Sequence, residues 1–319
     1  MRNRYCCCVL LALSSAVSGN DADLYPAKPV RVILPFPPGA AADSVMRTVG
    51  RKLTEYGGKP VIVDNRAGVP GIQAAAIAPP DGYTLLAGAG SSLVTVPLML
   101  KNKEYDPQRD FAAISLLVKI SPILTTHPSL PVRNMRELIA LAKSKPGTLN
   151  YSSSGNGSPG HLSMEMLMAM TGLNMVHVPY KGGAPSVTEL IAGQVQLGFN
   201  AIPSVLPYVN AGKLRALAVG SAQRARAMPN LPTIHESAVP GFEYDIWYGL
   251  FAPSKAPPAI VEKLSTNVRR ALAEADVERA ILAQGAEPAP TTSQALTQYI
   301  RNDTVKWAKI IVERNLKLY

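Results

Sequence analysis

Between Asn150 and Gly160 the chain reads NYSSSGNGSPG, and Gly155, Gly157 and Gly160 stand at the G-x-G-x-x-G spacing of a dinucleotide-binding turn. That spacing holds a pyrophosphate only after a strand, at the start of a helix, and with an acidic residue about 20 positions on for the ribose. Leu149 to Ser152 reads as the strand, and Ser158 before Pro159 reads as an N-cap followed by proline at the first helical position. The third condition fails. From Met175 through Thr188 there is no Asp or Glu, and the strand there runs into Pro179, Tyr180 and Lys181. What remains is a turn whose unpaired N–H groups, backed by the helix dipole, suit an anion. Pro37 to Ala42 and Lys181 to Pro185 occupy the same place in two further strand-to-helix turns. In open α/β sheets ligands sit at the carboxyl ends of strands, where all three turns would cluster.

Other chemistries find less support. A hydrolase elbow G-x-S-x-G is missing, since Asn156-Gly157-Ser158-Pro159-Gly160 lacks the first glycine, and no Walker G-x-x-x-x-G-K-[ST] occurs. The histidines at 127, 161, 177 and 235 show no metal-ligand spacing, so neither a metal nor another cofactor is expected. The strongest enzymatic rival is an NADP-dependent reductase with Lys181 facing a phosphate.

The elements that must position these turns follow from periodicity. Val30 to Phe36 is a buried strand ended by Pro37, Pro38 and Gly39, followed by a helix carrying Val45, Met46, Val49 and Leu53 and stopped at Gly57 and Gly58. Val61 to Val63 and Tyr83 to Ala87 are strands with a short Ala-rich helix between them, a βαβ series. Farther on, strands are expected at 123–126, 149–152, 175–178, 195–199, 214–219 and 247–252. A helix capped by Asn134 with Glu137 carries Leu138, Ile139, Leu141 and Ala142, and another covers 186–192. Met164, Met166, Met168 and Met170 fall in the helix that Ser158 opens and read as core. The tail from Pro258 to Asn315 is mostly helical, broken around Gly285 to Pro290.

At 319 residues the chain is longer than a typical domain of about 100 to 200 residues, which favours two lobes. Its formal charge of +10 is scattered, with no run of five basic residues, and reads as surface charge rather than a nucleic-acid interface. Arg2 and Arg4, the apolar Val9 to Val17 and the small residues to Gly19 predict a signal peptide over residues 1–23, cut between about Ser18 and Leu24. Cys6, Cys7 and Cys8 lie inside it, so the exported chain would hold no cysteine.

YPAKPVRVILPFPPGAAAD (Tyr25 to Asp43), NYSSSGNGSPGHL (Asn150 to Leu162), VPYKGGAPSVTELIAGQVQLGF (Val178 to Phe199) and WYGLFAP (Trp247 to Pro253) together resemble the Bug family. These are periplasmic solute-binding proteins of tripartite tricarboxylate transporters. The resemblance spans the chain after the signal peptide. It implies an α/β, two-lobed periplasmic-binding-protein fold of type II, each lobe a mixed sheet flanked by helices. Lobe 1 would hold residues 24–122 plus 247–319 and lobe 2 residues 123–246. The implied function is that of a non-enzymatic receptor, a monomer that closes around a small organic acid and delivers it to integral-membrane transporter subunits; service to a sensor is the alternative.

Carried over by position, the implied ligand contacts are Pro38, Gly39, Ala40 and Asp43 from the first turn, with a hydroxyl from Ser91 or Ser92. From the second lobe they are Ser154, Asn156, Gly157, Ser158 and His161, with Lys181 and Gly182 nearby. Ala40 stands where the family usually has a second glycine, and its methyl would narrow that turn. Several of these residues have a second reading. Asp43 in a first helical turn also suits the helix dipole. His161 could pack or cap, Ser158 is expected to cap its helix, and Lys181 could be an ordinary surface lysine or draw anions toward the cleft.

Overall fold

The computed structural model describes residues 24–100 and 105–317. The expected signal peptide and its cysteines lie outside the described residues. The strands are β1 (Val30–Leu34), β2 (Val61–Asn65), β3 (Thr84–Ala89), β4 (Phe111–Ile120), β5 (Pro122–Thr126), β6 (Asn150–Ser153), β7 (Val176–Pro179), β8 (Leu197–Ala201), β9 (Arg215–Val219), β10 (Ile246–Pro253) and β11 (Glu287–Pro288). They form two sheets, ordered β11-β4-β10-β3-β1-β2 and β7-β6-β8-β5-β9.

The two sheets share a wiring plan. In the first, β1 pairs in parallel with β2 and β3, and β10 runs antiparallel between β3 and β4. In the second, β6 pairs in parallel with β7 and β8, and β5 runs antiparallel between β8 and β9. The turns after β1 and after β6 therefore occupy equivalent places. Each antiparallel insert follows a passage between the sheets: the chain leaves the first at Ser121 and regains it after Asp245. This is the α/β, two-lobed architecture expected from the sequence.

Local sequence explains the elements that carry the turns. The helix Ala41–Gly57 buries Ala42, Val45, Met46, Val49 and Leu53 on one face. Gly58 ends it at φ +63°, a left-handed conformation open to glycine, with its N–H donating to the Thr54 carbonyl at 2.9 Å. The helix Pro159–Thr171 is buried nearly all round, with Met164, Met166 and Met168 in the core and Met170 exposed. Asn134 caps the helix Met135–Ser144 as expected, its Oδ1 accepting the Glu137 N–H at 3.0 Å.

The tail forms helices Pro258–Leu272, Ala275–Leu282 and Ser293–Glu313, broken where β11 lies. The last of these packs on β4 with its beginning and middle, while its end lies against the helix Pro159–Thr171. One apolar cluster accordingly runs from Ile33 and Leu86 through Trp247 and Trp307 to Leu162 and Met164. Among the described residues no helix is long and apolar enough to cross a membrane.

Candidate functional site

The first turn is built around Asp43. Its side chain is buried although it sits one helical turn beyond a solvent-exposed loop. The carboxylate accepts the Gly39 N–H at 3.0 Å, the Arg47 guanidinium at 3.0 Å and the Asn65 amide at 3.0 Å. Burial pushes its pKa up, but these donors outweigh burial and leave it below the ordinary carboxylate value. Asp43 therefore organises the loop with its own oxygens. Gly39 needs its glycine, at φ +82°. Ala40 lies at φ −64° and ψ 156°, extended backbone that any residue adopts, so its methyl introduces no strain into the turn.

The second turn repeats this arrangement with another residue type. Gly157, at φ +73°, donates its N–H to Nδ1 of His161 at 3.1 Å, again a bond from residue i to a side chain at i+4. Gly155, at φ +127°, donates to the Ser153 hydroxyl at 3.1 Å. Gly160 serves packing: a Cβ there would stand 2.7 Å from the Phe199 carbonyl oxygen of β8. The third glycine of the G-x-G-x-x-G spacing thus lets the helix approach the sheet. Ser154 and Asn156 project into solvent from the same loop.

Ser158 occupies the N-cap position, but its hydroxyl makes no capping bond and is buried with no hydrogen-bond partner among the described residues. This differs from the sequence expectation, because the dihedrals of Ser158 suit a cap while its side chain points elsewhere. With Gly39 and Gly157 engaged internally, the donors left at the two helix starts are Ala41 and Ala42 in one and Gly160 and His161 in the other. Their N–H groups lie in first turns, beyond reach of intrahelical carbonyls.

The third turn lies beside the second. The Tyr180 N–H donates to the Ser153 carbonyl at 3.0 Å, and Gly182, at φ +114°, leads into the helix Gly183–Ile191. Lys181 is exposed. Ser91 and Ser92 separate in role. The Ser92 hydroxyl is tied to the Ala89 backbone at 3.1 and 3.2 Å, whereas Ser91 faces a cavity.

That cavity, of about 150 Å³, meets both lobes: Phe36, just before the first turn, Ser91, and Pro159, just after the second. Tyr244 to Tyr248 at the crossover also line it, with Asp303 and Trp307 from the C-terminal helix; of these, motif reasoning singled out only Trp247 and Tyr248, in the WYGLFAP run. Phe36 meets Tyr248 edge-on at 5.6 Å, and the Trp247 indole N–H donates to Asp303 at 3.2 Å. Gly90 leaves room for that indole, since a Cβ there would lie 2.6 Å from its nitrogen. Asp245 pairs with Lys119 at 3.1 Å and Asp303 with Lys306 at 2.8 Å. Burial holds the Asp245 pKa above its ordinary value despite Lys119. The WYGLFA run signalled a strand, while the role of Asp245 and Asp303 depends on contacts distant in sequence.

Residues 45–316 match the family model described as tripartite tricarboxylate transporter family receptor. The chain belongs to this family of solute-binding receptors. Among solved structures, the R. palustris protein Rpa4515 with adipate is 33% identical, with a TM-score of 0.78, over 92% of this chain and 99% of its own. The periplasmic binding protein BugD is 30% identical, with a TM-score of 0.74, over 92% of this chain and 99% of that one. MatC from Rhodopseudomonas palustris with bound malate is 28% identical, with a TM-score of 0.74, over 90% of this receptor and all of MatC. The resemblance to Bug proteins read from the turns is thus shown along nearly the whole receptor.

Proposed function

We propose that this receptor captures a small carboxylate between its two lobes and presents it to the membrane subunits of a tripartite tricarboxylate-type transporter. The observation that carries this reading is the pairing of the turns after β1 and β6. They occupy equivalent places in two sheets, each opens a helix, and each is held by a side chain four residues on. Their remaining first-turn N–H groups are donors for a carboxylate. Phe36, Trp247 and Tyr248 supply an aromatic wall for the carbon skeleton. The adipate and malate held by Rpa4515 and MatC agree with that chemistry.

The lobes in this reading are residues 24–122 plus 247–319 and residues 123–246, hinged at Ser121 and Asp245. A carboxylate that meets donors from both lobes binds the closed form better and so shifts the population toward it. The site residues are those of the three turns with Ser91, and Lys181 acts at long range by drawing anions in. The protein works as a monomer in the periplasm, as a binder rather than an enzyme, after loss of residues 1–23. Small-angle scattering with and without a saturating carboxylate tests closure: the radius of gyration falls on binding if the reading holds, and an unchanged radius contradicts it.

A further inference from the structure

Behind the Gly157 turn lies a buried polar network that sequence reasoning did not find. Glu165, six residues into the helix, is 6% exposed. Its Oε1 accepts the Tyr151 hydroxyl at 2.8 Å and lies 3.7 Å from Nε2 of His161, and its Oε2 accepts the Arg314 Nε–H at 2.8 Å. His161 stacks on His177 with ring centres 4.1 Å apart, and His177 stacks on Tyr151 at 4.9 Å. His177 Nε2 in turn meets the Ser153 hydroxyl at 2.6 Å, the group that accepts the Gly155 N–H.

We propose that Glu165, anchored by Arg314, is a positioning residue that holds His161 as the Nε2–H tautomer, so that Nδ1 stays free to accept the Gly157 N–H and fix the binding turn. A ring nitrogen that accepts a hydrogen bond carries no proton, so the neutral imidazole must carry it on Nε2. The Glu165 carboxylate faces that nitrogen and favours the proton there. Stacking on His177 holds the ring plane, so the tautomer rather than the rotamer is the variable that Glu165 sets. Burial supports the neutral state by pushing the His161 pKa down, against the opposing pull of Glu165.

Arg314 extends the network beyond the second sheet. It sits at the end of the C-terminal helix, whose earlier turns pack on β4 of the first sheet, and its guanidinium also touches the Met168 sulfur. A buried carboxylate left without its cation is costly, so the Arg314 guanidinium offsets the burial of the Glu165 carboxylate that faces His161. The titratable groups facing the imidazole are thus Glu165 from its own helix, the neutral His177 from β7 and, through Glu165, the Tyr151 hydroxyl from β6 and Arg314 from the C-terminal helix. The geometry of the turn depends in this way on a residue at the far end of the chain.

The importance of the turn for a ligand rests on the proposed function, but the test reads the turn directly. Two-bond proton–nitrogen spectra of the histidine-labelled protein, lacking residues 1–23, give the His161 tautomer, and hydrogen exchange gives the protection of the Gly157 amide. The wild type at neutral pH should show the Nε2–H form alone; a dominant Nδ1–H form would overturn the proposal without any variant. Glu165→Gln keeps the shape and one acceptor oxygen but removes the charge and turns the other oxygen into an N–H donor. It should populate the Nδ1–H tautomer and speed Gly157 exchange about tenfold, the size of coupling expected between groups in one network. Arg314→Met should act in the same direction, while Arg314→Lys, which keeps the cation, should preserve most of the wild-type tautomer and protection, a split that a merely space-filling role for the guanidinium would not produce. A single unchanged tautomer with unchanged exchange in Glu165→Gln would refute the positioning role. Calorimetry with adipate and malate is read separately, so that silence there with the expected spectra would count against the ligand reading and leave the positioning role standing.

Discussion

His161 accepts the Gly157 N–H at 3.1 Å through Nδ1, and so spends on the protein itself a donor that the loop could have offered to a ligand. In the first sheet Asp43 does the same to Gly39 at 3.0 Å. Each turn is thereby held in one shape before any ligand arrives, which lowers the ordering cost of binding. The donors available to a carboxylate move into the first helical turns.

Gly157→Val tests the shape of the second turn. Valine at φ +73° is strained, so carboxylate affinity should fall at least about tenfold, or 1.4 kcal/mol, by calorimetry. Gly160→Ala should act on stability instead. Its methyl would press on the Phe199 carbonyl, lowering stability by about 1–3 kcal/mol in denaturant unfolding.

Asp43→Ala removes the acceptor of the Gly39 N–H and leaves Arg47 and Asn65 without it. The loss should be about 2 kcal/mol in stability, with weaker carboxylate binding because the first turn loosens. The Asp43 pKa is depressed in the fold, so its contribution is present above the unfolded carboxylate pKa and is lost as pH falls through the folded one. In Asp43→Ala this acid-side share of the loss of stability should vanish.

Ser158→Ala should be nearly neutral for stability. The hydroxyl makes no cap bond, so the penalty of about 1 kcal/mol usual for a lost serine cap is not expected in thermal unfolding. A full cap penalty would show that the hydroxyl does cap the helix in solution.

Acid should weaken the second turn through its histidines. Burial first, then the neighbouring His161, pushes the His177 pKa down to about 4 from its ordinary 6.5. The unfolded chain then binds more protons than the folded one between these values, so stability drops as pH falls from 6.5 toward 4 and levels below that. His177→Asn should flatten the melting temperature across that window.

Much of this was legible in the sequence because local rules govern it. The proline and glycines after β1, the Ser158-Pro159 start and the Asn134–Glu137 cap each point to one structure, and each stands where expected. The long strand β4 was not legible in the same way: FAAISLLVKI is buried almost throughout, so it lacks the alternation that separates strand from buried helix. The acceptors of the Gly39 and Gly157 N–H groups also escaped notice. Asp43 and His161 read equally well as ligand contacts until geometry shows where their polar atoms point. Glu165, Asp245 and Asp303 were invisible as parts of the site because their partners Arg314, Lys119 and Trp247 lie 149, 126 and 56 positions away.

The most direct measurement of the central claim is a thermal-shift screen of the chain lacking residues 1–23 against small mono- and dicarboxylic acids, each beside its neutral amide. A ligand held at about 100 times its dissociation constant adds about 2.7 kcal/mol to stability, well within reach of the method. At least one acid should raise the melting temperature while its amide does not, and Gly157→Val should cut that difference by about half or more, since tenfold weaker binding at the same concentration leaves about 1.4 kcal/mol. If no acid stabilises the protein, or if acid and amide stabilise it equally, the carboxylate site between the two turns is wrong.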